Sequence, residues 1–496
     1  MRPPPGGRFF IGCLCLMFER VKMELGKQVR WVVCALAALA TPLPAQTIDT
    51  MSMRAHTRFL ASDLLEGRGT GTRGEHLAGL YIASELTRMG VKPAGKDYLL
   101  PIPLKRASIE HSATTVSFGG STFQSARDFV WNTGGRGALR DFAGPLVFVG
   151  TADSSAVRRA GELKGYIAVM VGPMGAGAST FVPALIKAGA AGVVLLVADP
   201  PSFALYVRSR GDARYFVDAD VGDPVWQADL PVIIAGPTLT RAITVNGTPT
   251  PFTRLDGQLS AHFKARIEDA QSANVAGIIP GADPKLKNEY VAFSAHYDHL
   301  GISTPDEHGD SIYNGFSDDA AGVAMVLAIG DVFLKQRPAR SILLLFFTGE
   351  ERGLLGSSFY ASHPAIPLKQ MAGLINLDAG APPAPPTDWR IAGGAATALG
   401  ATTKTALAAR QWHATLGAAS PNSDYWPFLA RGVNAVFIIP GNHWEHTTDE
   451  QQKALRARWD HYHQAGDEWS ADFPFSGLQR YAEAALTVGR EVANKR

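Results

Sequence analysis

The chain has 496 residues, 46% hydrophobic and 19% charged, with 47 basic against 45 acidic side chains and a formal net charge of +2. That length holds two or three domains with substantial cores, and the composition is that of an ordinary globular protein. Lys and Arg are dispersed, which excludes a polyanion-binding stripe and removes nucleic acid from the expected partners.

The first 45 residues differ in kind from the rest. Lys27 and Arg30 precede the apolar run 31–39, and Thr41-Pro42-Leu43-Pro44-Ala45-Gln46 follows it. This order predicts a secretory signal peptide cut near Ala45, hence a secreted or periplasmic protein. Met23 fits as the true start, because MELGKQVR makes a conventional charged leader and residues 1–22 do not. The apolar run is shorter than the roughly 20 residues a bilayer requires, so no stable membrane span is expected after cleavage. Cys13, Cys15 and Cys34 all lie in this leader. A mature chain without cysteine excludes a cysteine protease and a thiolate zinc site.

Residues 103–267 carry no constellation of metal-competent side chains. They do carry the short apolar runs PLVFVG, GYIAVMVG, AGVVLLV and LPVIIAG, predicted as buried strands, with FVPALIKAGA as a helix leading into one of them.

Chemistry begins at VAFSAHYDHLG, a strand followed by His296 and Asp298. Their spacing of two puts both side chains on one side of an extended backbone, where Asp298 can accept the second ring N–H of His296 and fix its tautomer. His299 and His308 are expected only to meet solvent or a loop carbonyl. NGFSDDAAGVAMVLAI reads as a turn and then a helix, with Val323, Val326, Leu327 and Leu334 at helical spacing, so Asp318 and Asp319 sit at a helix N-terminus. Either acid, or Ser317, could serve there as an N-cap worth about 1 kcal/mol, and capping and metal binding are compatible at consecutive positions. SILLLFFTGEERGLLG ends a buried strand in the adjacent carboxylates Glu350 and Glu351, and GLINLD ends another in Asp378. Ligands bind outside the carboxyl ends of such strands in α/β folds, and paired acids there suggest a metal and a general base. Further on, the Pro-rich stretch 381–386 predicts a stiff extended loop near the cleft, NAVFII a resumed sheet strand, and residues 477–493 a final helix.

HYDHLG, SDDAAGV, FTGEERGLLGS, INLD and SDYWPF, in this order, resemble the co-catalytic di-zinc aminopeptidase family related to transferrin receptor and glutamate carboxypeptidase. The stretch 53–90, MRAHTRFLASDLLEGRGTGTRGEHLAGLYIASELTRMG, is similar to the opening of these peptidases. The resemblance implies an α/β fold with a mixed, mostly parallel central sheet and helices on both faces. It also implies a discontinuous catalytic domain, 46–102 and 268–496, interrupted at 103–267 by a small β-rich α/β unit that resembles a protease-associated domain covering the cleft. As metal ligands it implies His296, Asp318, Glu351, Asp378 and a late histidine, with Asp318 bridging two Zn2+ ions and Glu350 as general base to a shared water. Asp424 and Tyr425 would lie beside the substrate, Tyr425 near the first side-chain pocket.

His443, His446, His461 and His463 compete for the late position. The family places the ligand in an aromatic-His-x-x-x-Asp context, which Tyr462-His463-Gln464-Ala465-Gly466-Asp467 fits and His446-Thr447-Thr448-Asp449 misses by one residue. One departure from the family is the replacement of the usual small residue and Asn around the double acid by Phe316-Ser317-Asp318-Asp319-Ala320-Ala321-Gly322, which alters loop packing and spares the acids. Two imidazoles with carboxylates favour zinc, although cobalt or manganese suits the same groups.

The expected activity is release of N-terminal residues from peptides with a free terminus. A carboxypeptidase would need a basic cluster, for which Arg352 and Arg431 are the nearby candidates. A glutaminyl cyclase on the same fold would use one zinc, and a receptor-like binding protein would have lost Glu350 or a ligand.

Overall fold

The structure, a computed structural model, describes residues 48–132, 135–151, 163–172, 178–210, 212–221, 229–245, 247 and 249–495. The leader and its cysteines lie outside these residues.

The longest apolar runs of the sequence become adjacent strands of one ten-stranded sheet. Its named members are β1 (Leu99–Ile109), β2 (Ala213–Val217), β3 (Ala265–Ile279), β4 (Tyr290–His296), β5 (Ser341–Phe347), β6 (Met371–Asn376), β7 (Asp388–Ala392), β8 (His413–Leu416) and β9 (Ala435–Pro440). Their order is β8-β7-β9-β6-β4-β5-β3-β1-β2, with Lys92–Pro93 added beside β3. The centre, β5-β4-β6-β9, is parallel, and the flanking β3, β1 and β2 are antiparallel. Strands covered on both faces must be apolar at every position, and β5 is buried throughout.

Alternate residues serve the two faces. Val291, Phe293 and Ala295 of β4, with Ile342, Leu344 and Phe346 of β5, meet helices α1 (Thr50–Leu60), α2 (Arg73–Met89), α3 (Ala321–Lys335) and α5 (Ser476–Asn494). Leu343, Leu345 and Phe347 meet the opposite cluster, which includes Tyr360 of α4 (Leu355–Ser362), Tyr425, Phe428 and Phe437. Helix α3 is apolar on nearly every side, as a helix enclosed by sheet and neighbours must be. It stops before Pro338, which cannot continue a helix. Thr72 caps α2 by accepting the Glu75 N–H, and Gly90 closes it in the left-handed conformation.

A second sheet of eight strands is built from residues between 115 and 262. All four runs predicted as strands are present, at Phe142–Thr151, Ile167–Val171, Gly192–Leu196 and Val232–Ala235, and they pair in parallel in that order. Each face of this sheet carries its own apolar cluster. The stretch 103–267 is not confined to it, since most of β1 and all of β2 belong to the large sheet. Among the described residues no helix is long and apolar enough to cross a membrane.

Helix α5 reaches the central strand through Gly489, where a Cβ would lie 2.2 Å from the Phe293 ring. Overpacking of a closed core costs about 1–3 kcal/mol, more than the gain of about 1 kcal/mol that Ala has over Gly in a helix. Gly489→Ala is therefore expected to lower the midpoint of chemical denaturation. A midpoint that rises would show that the Phe293 ring can yield.

Candidate metal centre

Three neighbouring strand exits set the frame. β4 lies between β5 and β6, with His296 in register with Phe347 on one side and Ser294 with Asn376 on the other. His296 therefore stands at the middle exit, with Glu350 and Glu351 beyond β5 and Asp378 beyond β6. The fourth element is the turn ahead of α3. Gly315 takes a left-handed backbone (φ 58°), a wide helical turn runs over Phe316–Ala320, and the Asp318–Asp319 peptide is cis. Asp318 and Asp319 thus precede the regular helix, as the pattern predicted, and the Asp319 carboxylate caps its first turn by accepting the Gly322 N–H at 2.9 Å.

These elements bring the predicted ligands together around Asp318. His296 Nε2 lies 3.0 Å from Asp318 Oδ1 and 3.1 Å from Asp378 Oδ1. On the other side His463 Nε2 lies 3.0 Å from Asp318 Oδ2 and 3.2 Å from Glu351 Oε1. One carboxylate between two imidazoles, each with a further acid, is a bridging arrangement. His463 takes the late position, whereas His446 is exposed, His461 contacts the Arg458 carbonyl and His443 pairs with Asp388. Asp467 explains the His-x-x-x-Asp spacing: it accepts from Ser317 N and Oγ and from Asp318 N, tying the His463 loop to the bridging acid.

Two expectations need correction. His296 Nδ1 meets the main-chain carbonyl of Asp298 at 3.1 Å, while the Asp298 carboxylate stands at 3.7 Å. That carboxylate is held by Thr70 Oγ1 (2.6 Å) and by the Glu350 N–H (3.1 Å), so it links the His296 exit to the Glu350 turn. Tyr425 does not face a substrate pocket. It is wholly buried, packs against Phe437, and its hydroxyl donates to the Ser420 carbonyl, because the short helix it precedes turns its ring into the core. Asp424 is also buried and its oxygens make no hydrogen bond among the described residues. Burial and the charges of Asp378 and Asp298 outweigh His296 and the Ser357 hydroxyl, pushing its carboxyl up to about 8.

The electrostatics follow from crowding. Burial opposes charge on His296, yet Asp378 and its contacts to Asp298, Asp318 and Asp378 hold its pKa well above the ordinary value. Burial lifts Glu350, and Asp378, Asp424 and Glu351 add to the lift against His296. Glu351 is held low despite burial by His463 and His299, and Asp318, despite burial and the charge of Glu351, by His296 and His463. Asp319 is pushed up by burial, with Asp378 and Asp318 outweighing His296. Its oxygens accept from the His296 and Gly322 N–H groups, although geometry also groups it with His296 and Asp378 as a further metal-competent acid.

Several working residues carry no recognisable signal alone. Arg68, in GRGTG, is fully buried and donates to the carbonyls of Tyr297, Leu60, Asn314 and Gly315. One guanidinium thereby fixes both the His296 exit and the turn before Asp318. Burial lowers its pKa only to about 10, with Asp467, Asp298, Asp318 and Asp319 opposing the fall. His299, expected at solvent or a loop carbonyl, is instead fully buried, with Nδ1 2.8 Å from Glu351 Oε1. A charged residue amid glycines and a second His three positions on were the available hints.

The centre opens into a cavity of about 360 Å³. Asp318, Glu350 and Asp378 line one part, Trp444, Trp459 and Tyr462 form aromatic wall, and Arg390 and Arg456 reach it as well. Pro382 and Pro383 border it, as the stiff loop predicted. Arg431 points elsewhere, to the Pro427 and Val221 carbonyls, and Arg352 lines a separate cavity.

Imidazoles and acids gathered at the exits of parallel strands define the zinc exopeptidase fold. Residues 274–489 match the model of Peptidase family M28. Over 90% of this chain and 95% of the other, the fold is that of an aminopeptidase from Aneurinibacillus sp. strain AM-1, at 20% identity and a TM-score of 0.57. Among sequence relatives, a vacuolar membrane protease of Vanderwaltozyma polyspora is 33% identical over 127 residues, 26% of this chain and 12% of that protein. A probable zinc metalloprotease of Pyrenophora tritici-repentis is 35% identical over 104 residues, 21% of this chain and 23% of its own. The matches thus span less than a quarter of those curated relatives.

Two outcomes are expected. Arg68→Lys keeps the charge but loses the fork, and outer-shell changes of this kind weaken metal binding by about 10–100-fold. Zinc titration of chelator-stripped protein measures this, and wild-type affinity would remove Arg68 from the support of the centre. The second concerns Glu75, behind the centre, which accepts from Gly71 N, Ser272 Oγ and Thr348 Oγ1 and which burial, then Asp298, pushes from 4.5 up to about 8. A raised carboxyl contributes stability fully below its unfolded pKa and loses it as pH rises through the folded one. In chelator, wild type should lose melting temperature relative to Glu75→Gln between about pH 5 and 8. A difference that does not change with pH rejects this.

Proposed function

We propose that the protein is a zinc-dependent aminopeptidase that removes N-terminal residues from peptides. The observation that carries this is the position of Glu350, which lines the same cavity as Asp318 and Asp378 while its turn is anchored to Asp298.

Asp318, with His296 and Asp378 on one side and His463 and Glu351 on the other, would hold a pair of Zn2+ ions. The donor set fits, being neutral-capable imidazoles and carboxylates in a buried site. Bound zinc would supply Lewis acidity and lower the pKa of water. Glu350 takes the proton of the attacking water and returns it to the leaving amine. The acids lining this part of the cavity suit a free α-ammonium, and the aromatic wall suits an apolar first side chain. The leader in the sequence supports a secreted or periplasmic enzyme. Residues 103–267 we propose as an inserted unit that limits access to the cleft.

A second reading, release of C-terminal residues, has one observation in its favour: Arg390 and Arg456 line the same cavity and could receive a carboxylate. Aminoacyl and C-terminally exposed peptides, assayed with and without chelator, separate the two. Glu350→Gln should lower turnover by about 10²–10⁴-fold with unchanged metal content, as loss of a general base does. Full metal content with no peptide cleaved would overturn the peptidase reading and turn attention to N-terminal glutamine cyclisation or to partner binding.

A further inference from the structure

His299 is the one imidazole of the centre to which the family motifs assign no role, and it has the least freedom to be anything but functional. Its main-chain N–H is donated to the Arg68 carbonyl at 3.0 Å, and its ring lies against Gly315, where a Cβ would stand 2.6 Å from ring atoms. Arg68 therefore holds the backbone of His299 while Gly315 borders its ring. The side chain is wholly buried, yet neither ring nitrogen makes a hydrogen bond among the described residues.

That omission has a pattern. His299 Nδ1 lies 2.8 Å from Glu351 Oε1 and 3.8 Å from Asp318 Oδ2, while His463 Nε2 lies 3.2 and 3.0 Å from the same two oxygens. Glu351 Oε1 and His463 Nε2 also lack a hydrogen bond. The atoms are close enough, but they approach off the line that an N–H···O bond requires. A buried polar atom left unpaired costs about 1–3 kcal/mol, and several together call for a further partner. Separations near 3 Å suit neighbouring donors around one cation whose Zn–N and Zn–O distances are about 2.0–2.2 Å. If His299 served only to orient Glu351, its N–H would point along the contact, and it does not.

We propose that His299 is a protein ligand at the Glu351 end of the centre. This rests on the zinc reading above and extends it. That end then has four protein groups, Asp318, Glu351, His463 and His299, against His296, Asp318 and Asp378 at the other. Four groups complete a tetrahedron, the mark of a closed site, whereas three leave an open position. The two ends are thereby unequal: the Glu351 end retains its ion, and exchange and substrate access fall to the His296 end.

Anomalous diffraction at the zinc edge, on crystals of the unmutated full chain loaded with zinc, tests this directly. An ion about 2.0–2.1 Å from His299 Nδ1 is expected; zinc bound at the centre with the His299 ring outside every coordination shell overturns the proposal. In solution, cobalt titration of stripped protein followed by visible absorption should show two unequal steps, and His299→Ala should weaken the tighter one at least 10-fold and change its spectrum. Wild-type steps and spectrum in a folded His299→Ala also overturn it, and if that variant does not fold the diffraction result decides. Protein that takes up neither metal would sink the zinc reading itself, a different result from zinc held without His299.

Discussion

Everything at the mouth of the large sheet answers to one constraint, the mutual repulsion of buried carboxylates. Asp298, Asp318, Asp319, Glu351, Asp378 and Asp467 crowd one end of the sheet, and like charges about 4 Å apart repel by about 4 kcal/mol at an effective dielectric near 20. The protein opposes this with Arg68, with imidazoles held toward their charged form, and with main-chain N–H groups. The supports differ by acid: Asp467 receives the turn before α3, Asp298 receives Thr70 and the Glu350 turn, and Asp319 receives the His296 and Gly322 N–H groups. Asp318, Glu351 and Asp378 are left facing imidazoles, where a divalent cation relieves them best. Removing an acid from such a site relieves repulsion, so the cluster itself is a cost to folding that function explains and stability does not.

The sheet converts this electrostatic problem into a geometric one. Because β4, β5 and β6 are adjacent and parallel, their exits lie side by side, and residues at or just past each exit bring His296, Glu350, Glu351 and Asp378 to one end of the sheet. Loops of differing length can then follow each exit without moving the donors. The rigid part of the site is the part nearest the apolar core, and the loop that bears His463 needs its own anchor at Asp467 because no strand holds it.

Legibility in the sequence followed the same division. His296, Asp318, Glu350, Glu351 and Asp378 stood out because each directly follows or precedes a long apolar run, and such runs report strand and helix ends. His463 was separable from His446 by spacing, and Asp467 supplies the physical reason for that spacing. What stayed hidden depended on packing between distant segments. Arg68 lies over 200 residues from the carbonyls of Tyr297, Asn314 and Gly315 that it binds, so nothing local distinguishes it from a surface arginine. The resemblance placed Tyr425 near a substrate pocket, but one turn of helix decides which way a ring points. His299 followed a recognised ligand closely enough to seem incidental, and only burial separates a loop histidine from a donor. In the second sheet the strands were plain from their apolar runs, whereas the membership of β1 and β2 in the large sheet was not, since pairing between segments over 100 residues apart leaves no mark in either.

The candidate donors are also ordered along the chain, from His296 to His463, and Asp467 ties the loop of the last to the turn before α3. During synthesis the sheet exits emerge first, so the acids are gathered before the final imidazole and its anchor exist. Until residues 463–467 are made, the centre is incomplete however well the sheet has formed. In a cell that exports the protein unfolded, the metal supply that matters is that of the destination compartment rather than that of the cytosol.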